Sequence, residues 1–87
     1  MYFEILHLRL VAVIKSRIRN GEVSERRLAH ISGISQPHIH NVLKGVRVLS
    51  PRLADRVLKV LGISVLDLIE PSDFERLRSL KGTDRPG

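Results

Sequence analysis

Eighty-seven residues, with fifteen Lys or Arg against nine Asp or Glu and a formal charge of +6, describe one small basic domain with room for a single hydrophobic core. With no cysteine in the chain, a disulfide framework and thiolate chemistry are excluded, which suits a reducing cytoplasm. No apolar run reaches eighteen residues, and Glu4, His7 and Arg9 interrupt the segment a signal peptide needs, so a soluble, cytoplasmic protein with no membrane partner is expected.

The charge is unevenly placed. Between Ile5 and Ile63 eleven Lys or Arg stand against three acids, whereas from Ser64 onward four bases meet five acids. A positive excess around the central residues is what a polyanion-binding surface requires. Solvated helix faces are the alternative reading of the same charges.

Residues 3–19 place Phe3, Leu6, Leu10, Val13 or Ile14, and Arg17 at helical spacing, which predicts a first helix ending at Asn20 and Gly21. An alternating strand over 5–11 fits less well, because KSRIRN continues the helical pattern. Between Leu8 and Ile14 apolar side chains point in nearly all directions, so this helix needs cover on more than one side, from its own domain or from a second subunit. Ser24 caps the next helix, with Leu28, Ala29 and Ile31 facing inward, and Gly33 ends it where the chain must turn. Ser35 caps a third helix that holds Pro37 in its first turn, where a missing amide hydrogen costs nothing, and that ends near Lys44 and Gly45.

Ser50 and Pro51 repeat that start for a fourth helix, with Leu53, Val57, Leu58 and Leu61 inward and Gly62 as its stop. Ser64 opens a fifth helix of one and a half turns, VLDLIE, closed by Pro71. Ser72 and Glu75 then make a capping-box pattern ahead of Phe74, Leu77 and Leu80, which predicts a short sixth helix. The expected organisation is a single domain over residues 1–81 with a flexible tail at 82–87.

Within residues 24–45 the requirements of a helix-turn-helix are met in order. Ala29 is small where two helices approach, Gly33 occupies the tight turn, and Ile39 and Val42 are aliphatic on the inner side of the second helix. Winding that helix at 3.6 residues per turn groups Ile39, Val42 and Leu43 on one side. The opposite side carries Pro37, His40, Asn41 and Lys44, with Gln36 and His38 on its shoulders.

The string LAHISGISQPHIHNVLKG, followed by VLKVLGISVLDLI and preceded by Ile14, resembles the lambda-repressor and Cro-like (XRE-type) helix-turn-helix family over roughly residues 10 to 70. The resemblance implies an all-α fold, a five-helix bundle to which this sequence adds its short sixth helix. It also implies a homodimeric transcriptional regulator, a repressor acting by occlusion, that binds double-stranded DNA sequence-specifically with helix 36–44 in the major groove. Carried over onto this sequence, Gln36, Pro37 and Asn41 are the base-contacting positions, with His38 reaching a base or phosphate from the shoulder. Ser24, His40, Lys44 and Arg47 are the expected phosphate contacts.

The chemistry of these side chains narrows the expectation. Gln36 and Asn41 are amides able to pair with adenine N6 and N7, whereas Pro37 offers only apolar contact to a thymine methyl. Glu25 departs from the family in placing an acid where relatives often have glutamine, and Val46 replaces a commonly basic residue. Leu43 and Ile18 together substitute an apolar pair for a frequent buried glutamate and its arginine partner.

A rival reading, favoured by Pro37, Glu25 and Val46, is a protein-interaction module such as an antitoxin-like partner of a second protein, with or without DNA binding. An enzyme is not expected: there is no Ser, His and Asp arrangement and no phosphate-binding glycine loop. No metal or other cofactor is expected either. His38 and His40 are two apart on a helix and point in different directions, and His7 and His30 lack ligand spacing.

Overall fold

Serine hydroxyls start three helices of this chain and glycines stop two of them. The computed structural model describes residues 2–73 and residue 75. It contains α1 (Tyr2–Arg19), α2 (Glu25–Ser32), α3 (Gln36–Leu43), α4 (Pro51–Leu61) and a 3-10 turn at Val65–Leu68. The side-chain oxygens of Ser24, Ser35 and Ser50 accept from the amides of Arg27, His38 and Leu53 at 3.0, 3.3 and 3.3 Å, each satisfying an amide that the first helical turn leaves without a partner. Gly33 closes α2 at φ 73°, a left-handed conformation that disfavours any other residue, and its N–H reaches Ala29 O at 3.0 Å.

The residues buried along α1 are His7, Leu10, Val11 and Ile14, the spacing of one helical face. They meet Leu28 and Ala29 of α2, Ile39, Val42 and Leu43 of α3, and Ala54, Val57 and Leu58 of α4 in one core, closed by Leu49, Ile63 and Leu68. Helix α2 packs on both α3 and α4, while α1 lies against α3 and the 3-10 turn. No strand occurs among the described residues, so the alternating pattern over 5–11 is helical. The apolar substitution noted above is consistent with this core: Leu43 is buried and Ile18 packs against the cluster.

Three expectations are corrected. Ile31 does not face inward: it is 37% exposed, and Ser32 takes the buried place. Burial of Ser32 is tolerable because its hydroxyl accepts from Ile34 N at 3.3 Å and donates to Ala29 O at 3.5 Å, within the turn itself. The segment VLDLIE forms only the single turn Val65–Leu68, because the Asp67 carboxylate reaches back to the Ser64 amide at 2.8 Å and the chain is extended again at Ile69.

The third correction concerns the last capping pattern. Pro71, Ser72, Asp73 and Glu75 are helical, so Ser72 lies inside the helix and does not start it. Glu70 takes that place, with the Asp73 carboxylate accepting from the Glu70 amide at 2.7 Å. Asp73 is 1% exposed and receives a two-pronged contact from Arg9 of α1, which also donates to Leu68 O at 2.9 Å. This ion pair ties the segment after the 3-10 turn to α1. Phe74, Leu77 and Leu80, on which the sixth helix was expected to pack, lie outside the described residues.

Candidate nucleic-acid interface

The central motif is built by the turn at Gly33 and by the division of α3 into two sides. Ile39, Val42 and Leu43 are buried, and their burial fixes the rotation of the helix. Gln36, Pro37, His40 and Lys44 are consequently exposed together, with His38 and Asn41 half-buried beside them. All six α3 positions expected from the sequence therefore lie on or beside one face. His38 turns Nε2 into the fold, where no described residue bonds it.

The two phosphate-contact expectations outside α3 flank that face. Ser24 is exposed at the start of α2, its side-chain oxygen accepting from the Arg27 amide. At the other end, the backbone carbonyl of Asn41 accepts from Val46 N at 2.9 Å and Arg47 N at 3.1 Å, folding the chain back at the C-terminus of α3. Gly45 makes this reversal with φ 81°. The exposed Arg47 is thereby tied through its backbone amide to the C-terminal end of α3.

Two contacts around this face have no local signal in the sequence. His40 Nδ1 lies 3.2 Å from Glu25 Oε1, joining the outer sides of α3 and α2. His7 accepts a hydrogen bond from the Leu49 amide at 2.9 Å, which anchors the end of the loop carrying Arg47. Burial lowers the His7 pKa below its ordinary value, so the ring is held in the neutral form that can accept. The partners are 15 and 42 residues apart in the chain, too far for any helical or turn periodicity to report them.

Among the described residues there is no group of three His, Cys, Asp or Glu able to hold a metal, and no helix long and apolar enough to cross a membrane. What the surface does offer is an amide-bearing helix face, together with the exposed cations Arg26, Arg27, Lys44, Arg47 and Arg52.

A family model described as helix-turn-helix matches residues 14–68. Two curated relatives, named as uncharacterized HTH-type transcriptional regulators of Mycobacterium tuberculosis strains H37Rv and CDC 1551, are each 31% identical over 77 residues, covering 82% of this chain and 55% of the relative. The chain thus spans about half the length of the curated relatives it matches. No solved structure matches it significantly. The matched span runs from Ile14, at the centre of the core, through both helices of the motif to Leu68 in the 3-10 turn, and the chain belongs to the XRE-type helix-turn-helix family.

Proposed function

We propose that this chain binds double-stranded DNA sequence-specifically and acts as a transcriptional regulator, a repressor working by occlusion of its site, with α3 in the major groove. The observation that carries this reading is the division of α3: three aliphatic residues locked into the core, and Gln36, Pro37, His40 and Lys44 presented together with the edge of Asn41. Gln36 and Asn41 read adenine edges, Pro37 adds apolar contact, His38 reaches the duplex from the shoulder only with the part of its ring other than the buried Nε2, and Ser24, His40, Lys44 and Arg47 hold phosphates. The names of the two relatives support the regulatory role.

Selection of duplexes from a random pool tests the proposal. The expected result is an enriched consensus containing adenine at the contacted positions; recovery of no consensus, with binding that ignores sequence, would refute it. A palindromic consensus with half-sites one helical turn apart is the signature expected of a homodimer.

A second reading rests on a different surface. Leu8 of α1 and Val48 of the α3–α4 loop are 69% and 72% exposed and line one shallow depression with Phe3 and His7. An exposed apolar group of this kind suits a protein contact, either with a second copy of the chain or with an antitoxin-type partner. Stoichiometric co-purification of another protein, with no salt-dependent duplex binding, would favour that role over DNA reading.

A further inference from the structure

Glu25 is the first residue of α2, the place where this motif brings a helix start up to the DNA backbone, and a carboxylate there repels phosphate. In this chain the carboxylate does not stand alone. Its Oε1 is 3.2 Å from Nδ1 of His40, with His40 52% and Glu25 33% exposed. A carboxylate only accepts hydrogen bonds, so the hydrogen in this contact resides on Nδ1, and Nε2 is the ring edge left over.

With the ring neutral, Nε2 is an acceptor and has nothing to give a phosphate oxygen, while the carboxylate keeps its full charge. With the ring protonated, the pair is neutral overall and Nε2–H becomes a donor.

We propose that Glu25 and His40 form a proton-linked contact to the DNA backbone: Glu25 is a positioning residue that holds the hydrogen on Nδ1, and duplex binding takes up one proton at His40, whose Nε2–H then donates to a phosphate oxygen. The inference rests on the DNA-reading function proposed above and deepens it. The charged groups adjoining the pair along the chain are Lys44, four residues beyond His40 at the cap of α3, and Arg26 and Arg27, which follow Glu25 in α2. From α1, Lys15 shares a hollow with Lys44 and Arg47, and Arg56 of α4 donates to Ser32 O at the end of α2.

In Glu25→Gln the side chain can donate to Nδ1 as well as accept from it, so the hydrogen of a neutral ring is no longer held on Nδ1 and is free to sit on Nε2, where it reaches a phosphate without any proton uptake.

The test measures dissociation constants for one duplex taken from the pool selection, at fixed salt, from about pH 8 to about pH 5.5. The unmutated protein should tighten as pH falls, by up to about tenfold per unit for one proton. His40→Gln should lose that portion of the slope, and Glu25→Gln should bind more tightly at pH 8 and flatten it. Nitrogen-15 spectra of the free proteins supply a readout independent of DNA, with the His40 hydrogen on Nδ1 in the unmutated chain and on Nε2 in Glu25→Gln. Equal slopes in all three proteins, or the same tautomer in both, would overturn the proton-linked pair while leaving DNA reading intact. No duplex binding at any pH would overturn both.

Discussion

His7 and Leu49 are joined by a buried hydrogen bond, the Leu49 amide donating to His7 Nε2 at 2.9 Å across 42 residues of sequence. One side-chain acceptor on α1 thereby satisfies a buried backbone donor at the end of the loop that carries Arg47. An amide buried without such a partner costs roughly 1 to 3 kcal/mol, so the ring contributes through the donor it satisfies more than through its own packing.

The sign of the resulting pH dependence follows from the lowered His7 pKa. The unfolded chain takes up a proton at the ordinary value of 6.5, and the folded chain only at lower pH, because burial opposes the charge. Between those two values the unfolded state holds more protons, so this group costs nothing above pH 6.5 and destabilises the fold as pH falls below it. The loss is at most about 1.4 kcal/mol per pH unit and levels off once the folded ring also protonates. Urea unfolding at pH 7.5 and at pH 5.5 measures it. His7→Gln, which retains an acceptor and cannot titrate, should show a smaller difference between the two conditions.

Arg9 and Asp73 predict an asymmetry. Asp73 is 1% exposed, whereas a quarter of the Arg9 side chain reaches solvent. Arg9→Ala removes the guanidinium from a buried carboxylate and should cost about 3 kcal/mol. Asp73→Ala leaves an arginine that can turn to water and keep its bond to Leu68 O, and should cost less. Thermal unfolding of both variants ranks them; equal losses would mean that the contact is not the anchor of this segment.

Replacement of Asn41 by alanine should weaken the selected duplex by about 1 to 3 kcal/mol and relax the preference at one base position. Arg47→Ala should weaken all duplexes alike and lower the salt slope by about one. Titrations of consensus and scrambled duplexes over a range of salt separate the two effects. If Asn41→Ala discriminated as well as the unmutated protein, α3 would not be reading bases through that residue.

Leu8 carries the prediction for assembly. At 69% exposure its replacement by glutamate should change stability by no more than about 0.5 kcal/mol, yet a charge in the centre of the apolar group formed with Val48 should dissociate a dimer built on it. Sedimentation at micromolar concentration should show the unmutated protein as a dimer and Leu8→Glu as a monomer. A monomer in both cases would remove the dimer from the proposed function.

Much of this molecule is legible from neighbours in the chain. The caps at Ser24, Ser35 and Ser50 and the stop at Gly33 involve atoms within four residues of one another, so residue type and spacing are enough to place them. The same locality made the two sides of α3 readable, because helical winding alone separates Ile39, Val42 and Leu43 from Gln36, Pro37 and His40. The reading of Ile31 as inward failed for a physical reason: hydropathy favours isoleucine over serine, but a hydroxyl that satisfies the backbone of a tight turn is worth burying.

By itself the sequence determined the first four helices, the caps at Ser24, Ser35 and Ser50 and the exposed side of α3, since these depend on backbone hydrogen bonds and side-chain periodicity over a few residues. The tertiary structure alone decided which polar side chains meet. His7 with Leu49, Arg9 with Asp73, and Glu25 with His40 come from positions 42, 64 and 15 residues apart, and each pairing exists only after packing of the aliphatic core has set the helices against one another. Apolar burial supplies that packing without direction, and the directional contacts then follow from wherever it leaves the polar groups.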